Sequence, residues 1–453
     1  MMYKILCCDK QNWKKIKLKK KTIWFKGYLH NNSFLNILKT KISENKLKNY
    51  LLNLDGLFAF IIEDTKKIIA CVDRVSSIPI FYLKKKNKIL ISNKSYLIAN
   101  SEKTLLKKDS LTAIYMSGYT IGDSTIYNDV KRVNGGNYIE IIKKKSFKIR
   151  QYYSYNPWKF KKNQNLSKLE EEFNKCNYDV FKKIIKYCNI NKIGLAVSAT
   201  AGYDSRLTIA MLKELKFKNF FCFSYGLKNN YEVQAAKKIC KFLKVNFHFI
   251  EINNKKVKKL HEDPNYISCC NNLEQGLGVA DTWEFLAIKE LQNKKLLKNK
   301  AVINGLSGDF ISGGHQLEKY LDPKKKNINQ IIDAIIKKHY QLWIGTHKFI
   351  NKNLIKKMLK YEILKLNIKI NNHNKFGIIE NLELNNRQSK YSLSRQQIYD
   401  YFNLKWILPH FDSLYLDFWE KIEPKLKTNQ FFYDYFLTKK IMQTCGLEKS
   451  GII

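Results

Sequence analysis

Nine consecutive residues, Ser198-Ala199-Thr200-Ala201-Gly202-Tyr203-Asp204-Ser205-Arg206, collect small and hydroxylated side chains between a strand-like and a helix-like segment. Such a turn binds phosphate, because backbone N–H groups at a helix N-terminus point at an anion and the Thr200 and Ser205 hydroxyls donate further hydrogen bonds. Asp204 would repel a bare phosphate. It becomes useful if it holds a magnesium ion, which prefers oxygen ligands and bridges phosphate oxygens. The same residues also spell an ordinary helix cap by Thr200 or Asp204, and the loop alone leaves both readings open. A second segment, Asn304-Gly305-Leu306-Ser307-Gly308-Asp309-Phe310-Ile311-Ser312-Gly313-Gly314, is glycine-rich and carries one aspartate.

The elements that would position these loops alternate. Ile193–Val197 predicts a buried strand and Leu207–Lys216 a helix. Phe220–Ser224, Glu232–Leu243 and Phe247–Ile252 continue as strand, helix and strand, with a further strand at Ala301–Asn304. This alternation implies a parallel sheet with right-handed crossovers. Both loops then lie at carboxyl ends of strands, where open α/β sheets bind ligands. The first third differs. Leu57–Ile62, Ile78–Tyr82 and Tyr138–Ile142, separated by turns such as Asp55-Gly56 and Gly135-Gly136, predict an antiparallel, two-layer α+β domain. A helix is predicted over Leu169–Cys188, and beyond Lys319 the chain reads as mainly helical.

Thr200-Ala201-Gly202-Tyr203-Asp204-Ser205 resembles the pyrophosphate-binding motif Ser-Gly-Gly-x-Asp-Ser of the asparagine synthetases and their relatives. Phe223-Ser224-Tyr225-Gly226 looks like that family's second strand and turn, and Glu232, Ala236, Cys240, Leu243 and His248 fall at the spacing that follows it. Asn304–Gly314 resembles the family's second glycine-rich loop. Asp55–Phe60, Asp73-Arg74 and Ile78–Tyr82 are similar to its glutaminase domain, and Leu408–Asp412, Leu416–Phe418 and Pro424 to the segment under its nucleotide site.

The resemblance implies an α+β, Ntn-hydrolase-like antiparallel sandwich followed by an α/β parallel-sheet PP-loop domain of the adenine nucleotide alpha-hydrolase-like kind, with a helical C-terminal part. The boundaries are 1–155 for a degenerate glutaminase-like domain, 156–170 for a linker and 171–453 for the ATP-binding domain, its sheet core about 190–318 and its helical remainder 319–453. The implied cofactors are ATP and Mg2+, with Asp204 and Asp309 catalytic and holding the metal. Thr200, Gly202 and Ser205 would hold pyrophosphate oxygens, and Ser198, Tyr225, Asn304 and Gly305 would border adenosine and the α-phosphate. Arg206, Lys439 and Lys440 are the cations available to pyrophosphate; Tyr225 and Tyr203 are aromatic rings available to adenine.

Several residues depart from the family. Glutaminases of this kind use an N-terminal cysteine; the sequence given starts Met1-Met2-Tyr3, and Cys7 and Cys8 lie inside it, so a non-hydrolysing remnant is expected, with Asp73 and Arg74 structural. Ammonia or another amine then replaces glutamine as the nitrogen source. Ala201 stands for a glycine, which requires a backbone free of positive φ there. Leu306 and Phe310 stand where the family usually has glutamates, and no arginine precedes Pro409. The expected partners are ATP, a small carboxylic acid such as aspartate and an amine donor; a homodimer is allowed for. A noncatalytic nucleotide-binding relative and a nucleic-acid binder are the alternatives.

Composition bounds these readings. With 453 residues and 45% hydrophobic side chains the chain can bury two or three domains. Its 82 basic and 39 acidic residues give +43, nearly all from lysine. That surface attracts anions in a salt-dependent way, but the lysines are spread through all segments and no nucleic-acid module is evident, so specific nucleic-acid binding is not expected. Lysine, asparagine and isoleucine are abundant together, and their A/T-rich codons account for much of the excess. Ten cysteines without a CxxC pair predict reduced core thiols. No apolar run approaches the roughly 18 residues of a membrane span, and the first residues lack a secretory signal, so a cytoplasmic location is expected.

Overall fold

The computed structural model describes residues 2–7, 12–30, 44–273, 275–279, 282–316, 327–342 and 352–442. The chain divides into two compact units: Met1–Trp158 with Leu273–Ala280 and Leu317–Arg395, and Lys159–Asn272 with Asp281–Gln316 and Gln396–Ile453. The described residues 327–342 and 352–395, which the sequence reading grouped with the ATP-binding domain, belong to the first of these units.

The first unit holds two sheets. One has six antiparallel strands in the order β10-β9-β5-β4-β3-β2, namely Ser146–Gln151, Asn137–Ile142, Lys67–Val72, Gly56–Asp64, Lys21–Leu29 and Lys14–Leu18. Its central β4 buries Leu57 through Ile62 without a break, so both faces are covered. The edge β2, Lys-Lys-Ile-Lys-Leu, is exposed throughout, and its lysines discourage edge-to-edge pairing. The second sheet, β1-β7-β6-β8, comprises Met2–Leu6, Lys88–Ser92, Phe81–Lys85 and Lys131–Arg132. Here β1 runs parallel to β7, which corrects the expectation of purely antiparallel pairing. The long chain between them permits the crossover that a parallel pair needs. β6 starts at Phe81, after Pro79, whose missing N–H cannot join a ladder. Helices Ile328–His339, Lys352–Lys365 and Lys375–Glu383 complete a separate apolar cluster with Ala113, Met116 and Tyr119.

The second unit is built on an all-parallel sheet, β13-β12-β11-β14-β15. Its strands are Phe247–Glu251, Phe220–Gly226, Gly194–Ser198, Lys300–Ile303 and Lys405–Ile407. Leu195, Ala196 and Val197 at its centre are fully buried, as a sheet covered on both faces requires. Helices Tyr203–Glu214 and Tyr231–Phe242 connect β11 to β12 and β12 to β13. Helix Leu166–Ile190 buries Leu169, Phe173, Cys176, Val180, Ile184 and Cys188 at three- and four-residue steps. Its Phe173 ring packs on Phe418, Trp419 and Phe436. The strand order reverses between β11 and β14, the switch point at which such sheets open a crevice.

No helix among the described residues is long and apolar enough to cross a membrane. Cys71, Cys176, Cys188, Cys222, Cys240 and Cys269 are buried and form no disulfide; Cys8 and Cys445 lie outside the described residues.

Asp73 sets the first unit's turn after β5. Its carboxylate accepts from the N–H groups of Phe58 at 3.0 Å, Val75 at 2.9 Å and Ser77 at 3.1 Å, and from the Ser77 hydroxyl. Burial raises its pKa against the lowering effect of those donors. Asp73→Ala would leave several buried donors unmatched and is expected to lower stability by roughly 2–4 kcal/mol. Urea unfolding followed by tryptophan fluorescence, to which Trp13, Trp24 and Trp158 of the first unit contribute, measures this, and an unchanged midpoint would contradict it.

Candidate functional site

The two loops meet on Asp204. The first leaves β11 at Ser198 and enters the helix at Tyr203, four residues before the position predicted, so Asp204 and Ser205 sit in its first turn. Gly202 is the N-cap, with φ −70° and ψ 153°, and no side chain caps it. Ala201 is not among the residues with positive φ, which meets the condition its substitution for glycine imposed. The loop is tied to itself: the Ser205 hydroxyl accepts from Thr200 N at 3.1 Å and stands 3.0 Å from Thr200 O, while Gly202 N donates to Thr200 Oγ1 at 3.0 Å. Arg206 turns back as well. Its Nη2 donates to Ala201 O at 2.6 Å, its guanidinium lies 5.4 Å from the Tyr203 ring centre, and its Nε is buried without a hydrogen-bond partner.

The second loop follows β14, directly beside β11 in the sheet. Asp309 N donates to Asp204 Oδ2 at 3.1 Å. The approach is so close that a Cβ on Gly305 would fall 2.4 Å from Asp204 Cβ, and one on Gly308 would fall 2.3 Å from Asp204 Oδ1. Ser307 between them adopts φ 68°, a left-handed conformation that costs a non-glycine residue on the order of 1 kcal/mol. Ser312 secures the loop by donating to Gly308 O at 2.7 Å and accepting from Gln430 Nε2 at 2.7 Å.

Tyr433 and His315, which the sequence reading did not name, and His410, which it named only within a resembling segment, complete the surroundings. Tyr433 OH donates to Asp204 Oδ1 at 2.8 Å. His410 Nε2 stands 4.0 Å from the same oxygen and makes no hydrogen bond. His315 Nε2 is 3.1 Å from Asp309 Oδ2. Pro409-His410 was legible as part of a resembling segment; nothing in the local sequence marks Tyr433.

Burial, and then the Asp309 charge, push the Asp204 carboxyl up to about 7, although Tyr433 and the Asp309 and Gly308 amides favour its ionised form. Burial pushes His410 down to about 4, so its ring is neutral, while Asp309 acts in the opposite sense. Burial and Asp204 hold the Tyr433 phenol far above its usual value, so it remains a donor.

The donor set suits a hard divalent cation. Asp309 is exposed, with 56% of its side-chain surface free, and Asp204 keeps 19%. Two carboxylates whose charges oppose each other are relieved by a cation between them. Among the described residues no group of three or more His, Cys, Asp or Glu could hold a metal. Magnesium typically takes one or two carboxylates and completes its shell with phosphate and water oxygens, so two protein ligands are enough.

The remaining candidates fall as follows. Ser198 ends β11, Tyr225 lies half-buried near the end of β12, and Asn304 follows β14, its Oδ1 accepting from Leu306 N at 3.2 Å. Lys439 donates to Glu170 at 3.1 Å and to Tyr435 at 2.8 Å. The side chain of Lys440 lies outside the described residues. Ala236, Cys240 and Leu243 are buried on the inner face of their helix, and His248 packs edge-on against Phe221.

Residues 32–153 match the family described as a glutamine amidotransferase domain, and this stretch lies within the first unit. The chain matches no curated protein. Among solved structures it is similar to an NH3-dependent NAD synthetase from Campylobacter jejuni at 17% identity, covering 45% of this chain and 82% of that one, TM-score 0.23. It is also similar to a glutamine phosphoribosylpyrophosphate amidotransferase from B. subtilis at 10% identity, covering 55% and 74%, TM-score 0.23. A glutamine-dependent NAD+ synthetase from Acinetobacter baumannii aligns at 8% identity over 75% and 78%, TM-score 0.22. Scores this low lie below what a shared overall fold gives. The likeness to glutamine amidotransferases thus rests on residues 32–153.

Two opposite pH slopes follow from the buried pair. Asp204 binds its proton more tightly folded than unfolded, so it subtracts stability as pH rises from its ordinary 3.8 to about 7. His410 binds its proton less tightly folded, so stability is lost as pH falls from its ordinary 6.5 to about 4. Asp204→Asn is expected to be more stable than the native protein at about pH 8, by on the order of 1 kcal/mol or more and with a higher unfolding temperature, and nearly equal to it near pH 3.5. His410→Asn should flatten the acid limb instead. Scanning calorimetry across this range checks both, and equal differences at both pH extremes would count against the assignment.

Proposed function

We propose that the chain is an ATP-dependent amide ligase of the asparagine synthetase-like kind, activating aspartate or a related acid as an acyl-adenylate. The observation that carries this reading is the convergence of two glycine-containing loops on one carboxylate at the sheet's switch point, with Asp309 N bonded to Asp204 Oδ2 at 3.1 Å. In the proposed reaction the acid's carboxylate attacks the α-phosphate of ATP and pyrophosphate leaves. An amine then attacks the acyl-adenylate, giving the amide and AMP.

The protein's own groups would act as follows. The N–H groups opening helix Tyr203–Glu214 lack intrahelical partners and face the pyrophosphate, with Thr200, Gly202 and Ser205 framing that approach. Ser198, Tyr225, Asn304 and Gly305 border the adenosine and α-phosphate. Arg206, buried beside the loop, adds positive charge. Asp204 and Asp309 would hold Mg2+, which offsets negative charge on the phosphate oxygens. Tyr433 keeps one Asp204 oxygen oriented.

Nitrogen comes, in this reading, from ammonia or another amine rather than from glutamine. The one cysteine within residues 32–153 is Cys71, fully buried. Burial and Asp73 hold its thiol well above the ordinary value, which withholds the thiolate a glutaminase needs. A noncatalytic nucleotide binder is the second reading. It is favoured by the Thr200 and Ser205 hydroxyls being engaged within their own loop and by Leu306 and Phe310 in place of acids.

ATP–pyrophosphate exchange with magnesium, screened over carboxylic acids, tests the proposal. Exchange with at least one acid is expected, falling roughly a hundredfold or more in Asp204→Ala and in Asp309→Ala. Binding of an ATP analogue without exchange on any acid would favour the noncatalytic reading, and absence of both would remove the nucleotide site altogether.

A further inference from the structure

Strand β2 forms one end of the first unit's six-stranded sheet, and among the described residues it pairs only with β3. All five of its residues, Lys14–Leu18, are exposed, so neither face is covered. In an antiparallel pair every second residue turns both its N–H and its C=O away from the neighbouring strand. The outer edge of β2 therefore presents a row of backbone donors and acceptors to solvent. The next strand differs, since Ile23 and Trp24 of β3 are buried.

The side chains of β2 define what that edge accepts. Six of the eight residues from Lys14 to Lys21 are lysines, and no acidic residue occurs between Lys10 and Ser43. Lys15 and Lys17 belong to one face of the strand, and Lys14, Ile16 and Leu18 to the other. The Lys15 ammonium stands 5.3 Å from the centre of the Trp24 ring, which holds its charge at this edge. Ile16 and Leu18 are 38% and 46% exposed. A second copy of the chain is a poor occupant. Paired antiparallel about Ile16, its β2 would set Lys15 against Lys17 twice, and like charges directly opposite are destabilising. A strand with carboxylates opposite Lys15 and Lys17 and apolar side chains opposite Ile16 and Leu18 complements both faces at once. Because the faces alternate along a strand, acidic and apolar residues alternate in that partner.

We propose that the outer edge of β2 is a docking site for an extended segment of another protein, alternating in acidic and apolar residues, which adds to the sheet as a further strand. Main-chain hydrogen bonds supply the affinity, and the lysine–carboxylate pairs supply the choice of partner. A nucleic acid would match the lysines but leave the carbonyls of the edge without donors along the strand, so the edge favours a peptide. The inference is independent of the ligase reading and uses no residue of the two loops.

The test uses the full chain and, as probe, an end-blocked peptide of about seven residues alternating glutamate and valine, long enough to span β2. Binding is measured by fluorescence anisotropy at low and at physiological salt, and amide hydrogen exchange is followed over Lys14–Leu18. The peptide is expected to bind and to slow exchange there. A version N-methylated along its central residues keeps side chains and charge but loses the N–H groups of both its edges, and should bind roughly tenfold or more weakly. Lys15→Glu combined with Lys17→Glu, checked for an unchanged thermal midpoint, should lose roughly as much affinity and bind a lysine–valine peptide instead. Should that variant not fold, the N-methylated peptide on the native protein decides. No binding of the glutamate–valine peptide, equal binding of its N-methylated form, or slowed exchange only outside Lys14–Leu18 overturns the proposal. A single-stranded oligonucleotide that matches the peptide in affinity and in protection of Lys14–Leu18 overturns it in favour of a general polyanion surface.

Discussion

The second unit depends on how closely one backbone approaches one carboxylate. Asp204 lies in the first turn of a helix, where acidic side chains are favoured by the helix dipole. The second loop closes over it until Gly305 and Gly308 touch its side chain. Only hydrogen at those two α-carbons permits the Asp309 amide to reach Asp204 Oδ2. The sheet makes the approach geometrically necessary, because β11 and β14 are neighbours running in parallel and therefore deliver their following loops to the same edge.

That approach concentrates opposing terms. Backbone amides and the Tyr433 hydroxyl favour the ionised carboxylate, whereas burial and the Asp309 charge disfavour it, and the second pair prevails. Ser307 adds backbone strain in the same loop, and His410 is held neutral beside it without a partner. Strain and unmatched polar groups persist only where the surrounding packing over-determines them. Here the aromatic packing around Phe173, which includes Tyr433 and Phe436, supplies that constraint.

Much of this was legible in the sequence because it is local. The alternation of apolar runs and amphipathic stretches between 193 and 252 gave three of the five strands of the parallel sheet, and the apolar run at 301–304 a fourth, each to within a residue or two, since buried parallel strands are short continuous apolar runs. Gly305 and Gly308 were visible as glycines, but not the reason for them, which is contact with a residue about a hundred positions earlier. What escaped was non-local. β15 is three residues long and among the described residues pairs only with β14, too short for any period to register. The parallel pairing of β1 with β7 depends on chain closure rather than on composition. The descent of residues 352–395 into the first unit follows from an apolar cluster shared by Ile355, Leu359 and Ile378 with Ala113 and Met116, and a helical pattern does not say which partner it packs against.

The two apolar substitutions in the second loop take on a different meaning once packing is considered. Phe310 is 2% exposed and lies edge-on to His315, with ring centres 5.9 Å apart at 64°. A carboxylate there would have to be buried, which costs free energy unless it is paired, whereas the phenyl ring is buried without that cost. The acidic side chain that the switch point retains comes instead from Glu284, on a different element, anchored by a phenol that also accepts from Asn304. Chemistry at a strand end is set by whichever side chains the sheet delivers to that edge, and sheets deliver them from several connections at once. Reading the loops alone therefore registers a loss of acids, whereas the three-dimensional arrangement retains one buried carboxylate within hydrogen-bonding reach of Ser198.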